Sequence, residues 1–138
     1  MDAVERGHSP AVVIINTTPD TVDLLKDVLE KAGFLVVTGY THDVREGKLD
    51  LEMMIRVTNP VVILWDLAPP YDRNWAFLQL LRTTVLKGRR MVLTTTNKAQ
   101  VERLIGLDHE VYEVVGKAED LDAIVRATKE ASRARDTR

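Results

Sequence analysis

The chain contains no cysteine, which excludes disulfides, thiolate zinc sites and a cysteine nucleophile together. Its three histidines, His8, His42 and His109, are scattered and show no metal-ligand spacing such as a one-face pair on a helix. Charge of one sign is missing too. Nineteen basic residues stand against 21 acidic ones, for a formal net charge of -2, so nothing in the balance favours nucleic acid or an anionic membrane surface as a partner. No apolar run approaches the roughly 20 residues of a membrane span. The N-terminus carries Asp2 and Glu5 rather than a hydrophobic segment, unlike a secretory signal. A Gly-rich turn after the first apolar run, a Gly…Gly-Lys-Ser/Thr phosphate loop and a Gly-x-Ser-x-Gly elbow are all lacking, which removes the common dinucleotide, nucleotide and serine-hydrolase signatures. What these absences leave is a cytoplasmic, soluble, single-domain protein, with 138 residues at 45% hydrophobic and 29% charged.

Five short, Val/Ile-rich runs are present: Ala11–Ile15, Phe34–Thr38, Val61–Trp65, Met91–Thr95 and Val111–Val115. Runs this short and this β-branched fit buried strands. Between and after them lie segments of helical period. Val22, Leu25, Val28, Leu29 and Ala32 line the first, with Thr18 placed to cap it, Pro19 at its first position and Gly33 just past its end. Leu51, Met54 and Ile55 line a second, ended by Asn59-Pro60. Leu78, Leu81 and Val85 line a third, with Asn74 as its cap. A fourth starts at Asn97 and ends with Leu104 and Ile105, and Leu121, Ile124, Val125 and Thr128 line a fifth. Gly47 interrupts any helix in the segment Thr41–Lys48. Strand and helix alternating in this way predict a parallel sheet covered on both faces, because each crossover helix must pack back on the sheet. Glu113 suits an edge strand. Trp65, Trp75 and Phe77 read as core. The basic residues Arg126, Lys129, Arg133, Arg135 and Arg138 read as complementing a helix end and solubilising a tail. Residues 1–10 and 132–138 are expected to be tails around a domain spanning 11–131.

In open parallel sheets, ligands and chemistry sit at the carboxyl ends of the strands. Those ends are Asn16-Thr17-Thr18, Asp66, Thr94-Thr95-Thr96 and Gly116-Lys117. Asp66 closes the most apolar run of the chain and is followed almost at once by Pro69-Pro70. A carboxylate at that depth is costly unless it is paired, neutralised or used.

From about Ala11 to Ala131 the chain resembles a response-regulator receiver domain of two-component systems. The segment Val61-Val-Ile-Leu-Trp-Asp66-Leu-Ala-Pro-Pro70, with Asn74 and Trp75 following, is similar to that family's phosphoacceptor segment. The resemblance implies a flavodoxin-like, doubly wound five-stranded sheet in the order 2-1-3-4-5. It places Asp66 at the phosphoacceptor position, and Thr95 and Lys117 at the phosphate-contacting positions. The departures are specific. Where receivers carry a pair of acids that bind magnesium with the phosphoacceptor, this chain has Asn16 and Thr17. Asn74 replaces a usual glycine, Ala118 a usual proline, and Val114 the usual switch aromatic, leaving Tyr112 as another residue for readout.

Asp66 and the Ala68 carbonyl are the remaining, weak metal candidates, and they offer one negative charge where magnesium takes one or two carboxylates among six oxygens. No cofactor is therefore expected, and Lys117 is expected to hold Asp66 ionised by pairing with it. The expected role is a stand-alone, atypical receiver with no output domain. It is not an enzyme and works by contact with a protein partner, a histidine kinase or another signalling protein, or with a second copy in a homodimer. Lys98, Arg103 and Arg126 are candidates for the contact face. The rivals are an ordinary phosphorelay receiver phosphorylated on Asp66, and a flavodoxin-like small-molecule binder or enzyme.

Overall fold

Alternation within each apolar run decides which way its side chains go, and so builds two cores from one sheet. In the computed structural model, which describes residues 9–106, 111–116 and 121–135, the strands are β1 (Ala11–Asn16), β2 (Leu35–Tyr40), β3 (Val62–Asp66), β4 (Met91–Thr94) and β5 (Val111–Val115). Val13, Ile15, Ile63, Trp65, Met91, Leu93 and Val114 face one side, and Val12, Ile14, Val62, Leu64, Val92 and Val115 face the other, as the two-residue period of a strand requires. The helices are α1 (Pro19–Lys31), α2 (Thr41–Arg45), α3 (Leu51–Thr58), α4 (Tyr71–Arg82), α5 (Lys98–Ile105) and α6 (Leu121–Arg135). Leu51, Ile55, Trp75, Leu78 and Val101 of α3, α4 and α5 cover the first side. Leu25, Leu29, Ile124, Ala127 and Ala131 of α1 and α6 cover the second.

All pairings are parallel, and the strand order is β2-β1-β3-β4-β5. The expected α/β fold is thus observed, with every strand end within two residues of the expected one. β1 and β4 are buried along their whole length, whereas β2, at an edge, is partly exposed. Trp65 and Trp75 are buried in the core, as read from the sequence.

Several helix ends follow their sequence signals and others do not. Gly33 takes a φ of 103° just past α1, a conformation that disfavours any side chain. Thr18 precedes α1 without capping it, because its hydroxyl is bonded to that of Thr21 at 2.9 Å. Asn74 is not a cap, since α4 already begins at Tyr71. Asn97 does cap α5, accepting from the Gln100 amide at 3.2 Å. Asn97→Ala is therefore expected to lower stability by about 1 kcal/mol, measurable as a shifted urea midpoint with an unchanged slope.

The segment after β2 holds the short helix α2, which ends before Gly47 at φ 78°. At the C-terminus α6 continues to Arg135, past the boundary expected at residue 131.

Candidate functional site

The carboxyl ends of β1, β3 and β4 bring Asp66 between two threonines. Thr94 is the register partner of Asp66 across the β3–β4 pair, and partners in a parallel ladder present their side chains on the same face. The Thr94 hydroxyl accordingly donates to Asp66 Oδ1 at 2.9 Å. From the other side, the Thr17 hydroxyl donates to Asp66 Oδ2 at 3.2 Å. Beyond Asp66 the β3–β4 pairing runs one step further, with the Leu67 amide bonded to the Thr94 carbonyl at 2.8 Å. That bond fixes where the carboxylate leaves the sheet.

Thr95 does not reach Asp66. It is 2% exposed; its hydroxyl accepts from the Asn97 amide at 3.2 Å, and its own amide is bonded to the Val115 carbonyl at 3.1 Å. Thr95 therefore shapes the entry to α5, and the hydroxyl on the carboxylate is that of Thr94. Asp66 and Thr94 are each the first polar residue after an apolar run, but the runs alone do not set the β3–β4 register that pairs them.

Asn16 is also buried, at 2% exposure. Its Oδ1 accepts from the Thr17 amide at 2.7 Å and the Thr18 amide at 3.3 Å, an Asx turn that carries the chain from β1 into α1. Its side-chain oxygen thus serves the local backbone.

The Ala68 carbonyl accepts from Asn74 Nδ2 at 2.7 Å, and the Asn74 oxygen accepts from Arg45 at 2.7 Å. The Arg45 guanidinium lies 4.3 Å from the centre of the Phe77 ring, within cation–π range. This chain from α2 to the loop after Asp66 was not foreseen from the sequence. Its only trace there is an amide side chain at position 74. Across the site, the Tyr71 hydroxyl lies 3.1 Å from that of Thr96, joining the first residue of α4 to the loop after β4.

Burial pushes the Asp66 carboxyl above its ordinary value of 3.8, and this outweighs the hydrogen bonds from Thr94 and Thr17, which pull it down. Lys117 and Ala118 lie outside the described residues, as do His8 and His109, and the expected Asp66–Lys117 pair therefore lies outside them too. No group of three or more His, Asp or Glu side chains that could hold a metal ion occurs among the described residues.

The raised pKa has a definite sign for stability. Folding favours the protonated carboxyl, so the contribution of Asp66 is fully present below pH 3.8 and is lost as pH rises through the folded-state value. Asp66→Asn cannot ionise and keeps an oxygen for one of the threonine hydroxyls. It is expected to be more stable than the wild type at pH 7, on the order of 1 kcal/mol, with the advantage shrinking as pH falls toward the carboxylate range. Urea melts of both proteins across that range measure it, and a difference that is flat with pH would contradict this account of Asp66.

No protein-family model and no curated protein matches the sequence. Solved structures do. A sensor protein from Polaromonas sp. JS666 is 19% identical, with a TM-score of 0.70 over 91% of this chain and 97% of that one. A response regulator from Thermotoga maritima is 13% identical, with a TM-score of 0.69 over 91% and 98%. The N-terminal domain of a response regulator/sensory box/GGDEF 3-domain protein from Carboxydothermus hydrogenoformans is 15% identical, with a TM-score of 0.62 over 92% and 97%. The chain has the receiver-type fold.

Proposed function

We propose that the chain is a receiver-like signalling module of the two-component type that acts by contact with a protein partner, without metal-dependent phosphoryl transfer to Asp66. One observation carries this reading: Asp66, which the sequence resemblance puts at the phosphoacceptor position, ends β3 with its carboxyl held by two neutral hydroxyls, Thr17 and Thr94. The structural likeness to response regulators supports the signalling class.

The residues present do not suit a magnesium ion, which requires near-octahedral oxygen coordination. Asp66 supplies one carboxylate. The Asn16 oxygen is committed to two backbone amides, the Thr17 hydroxyl donates to Asp66, and the Ala68 carbonyl receives the Asn74 amide. Phosphoryl transfer depends on charge neutralisation and positioning, and the Thr17 and Thr94 hydroxyls that hold Asp66 are neutral.

Val114 is buried under α5, so no ring swings between core and solvent at that place. The contact face at α5 and β5 offers Lys98 and Arg103, which have no ion pair among the described residues. Arg126 is already engaged, with Glu113 at 3.0 Å and Glu130 at 3.1 Å.

Intact-mass spectrometry of the wild type after incubation with acetyl phosphate and magnesium tests the proposal. The mass should stay unchanged. Prompt, magnesium-dependent addition of one phosphoryl group at Asp66 would instead make the chain an ordinary phosphorelay receiver.

A further inference from the structure

An open groove of about 580 Å³ runs between the C-terminal end of α1 and the outer face of α6. Its floor is apolar, formed by Val28 and Ala32 on one side and Val125 on the other, all packed against the core beneath. Its rim is basic. Lys31 stands on the α1 side, and Lys129 and Arg133 stand one helical turn apart on α6. Lys31 has only a solvated pair with Asp27, at 3.0 Å with both side chains mostly exposed, which holds it weakly. Lys129 and Arg133 are exposed and have no hydrogen bond or ion pair among the described residues. Arg126 also lines the groove but is occupied by Glu113 and Glu130. Asp122 marks the opposite end of the α6 stripe, so the groove runs from acidic to basic along its length.

This basic rim sits on a chain whose formal net charge is -2. An acidic partner is thus attracted here. A trough between two helices with an apolar floor matches an amphipathic helix better than a flat anionic surface, whose charges would leave the floor uncovered.

We infer that the groove docks an acidic amphipathic helix of a partner protein. The helix lays its apolar stripe on Val28, Ala32 and Val125, with two carboxylates one turn apart against Lys129 and Arg133. Its end near Asp122 carries no acid. None of the groove residues is a hydrogen-bond partner of Asp66, so the inference stands or falls separately from the reading of that carboxylate.

Selection from a displayed library of helical peptides against the full chain tests it, with the double variant Lys129→Glu/Arg133→Glu as counter-target. Both positions are exposed, and an unchanged melting temperature verifies that the variant folds. Clones selective for the wild type should carry Asp or Glu at i and i+4 beside an apolar stripe, and should bind the variant at least about tenfold more weakly. Amide shifts on binding should map to Val28, Ala32 and Val125. Clones without acidic enrichment, or with equal affinity for both proteins, would overturn the inference. So would an absence of peptide binders combined with phosphatidylserine-vesicle binding that the same charge reversal abolishes, which would assign the face to a membrane.

Discussion

The double substitution Asn16→Asp, Thr17→Asp is expected to raise magnesium affinity at the Asp66 pocket by about tenfold or more. In the wild type, the Thr17 hydroxyl lies 3.2 Å from Asp66 Oδ2 and donates to it. A carboxylate in place of that hydroxyl faces a second carboxylate at short range. Like charges at that distance raise each other's proton affinity, and a divalent cation relieves them. The first substitution leaves an oxygen at position 16 able to accept the Thr18 and residue-17 amides, so the entry to α1 persists. Two outcomes follow. Without magnesium, the variant should be less stable than the wild type at pH 7. With magnesium at tenfold the variant's dissociation constant, about 1.4 kcal/mol returns through linkage, while the wild type gains at most about 0.4 kcal/mol. Isothermal titration and melts with and without the ion measure both, and an equal magnesium response in the two proteins would show that the neutral residues at 16 and 17 are not what sets the metal preference.

Trp65→Ala should be the most damaging single change near the site, lowering stability by about 3–5 kcal/mol. Trp65 is 2% exposed and packs with Trp75, Leu78 and Leu93 beneath α4 and α5. Truncation removes the largest fully buried side chain of β3, and the flanking strands cannot close the space without losing the Ile15–Trp65 and Trp65–Leu93 register. Against a typical total of about 5–15 kcal/mol, such a loss brings the fold close to its limit. The melting temperature should fall by roughly 10–20 °C. Leu80→Ala is the contrast, since Leu80 is an exposed leucine on α4, and it should change stability by less than about 0.5 kcal/mol. If both variants melt alike, Trp65 is not the core element described here.

Much of this molecule follows from periods that are local along the chain. Two-residue alternation and β-branched composition define the strands, and a 3.6-residue stripe defines α1, α3, α5 and α6. Strand–helix alternation then leaves a parallel sheet as the arrangement that buries every stripe. Asn97 and Gly33 were legible because a cap and a left-handed turn are settled within four residues. The placing of Asp66 at a strand end was legible for the same reason, as an apolar run ends there.

The identity of its partners was not, because those partners come from residues 28 and 49 positions away. A shift of one residue in the β3–β4 register exchanges Thr94 for Thr95 on the carboxylate, and only the packed sheet selects between them. Asn74 looked like a helix cap, but Pro70 and Tyr71 begin α4 earlier, and its amide instead links Arg45 to the Ala68 carbonyl. The direction of the Asp66 shift is likewise tertiary. Desolvation depends on how much protein surrounds the carboxyl, and here it outweighs both hydroxyls. The chain by itself determined that there is a sheet with a carboxylate at the carboxyl end of one of its strands. Tertiary structure decided which groups touch that carboxylate and which way its proton affinity moves, because both depend on distances between segments that the sequence does not hold in register on its own.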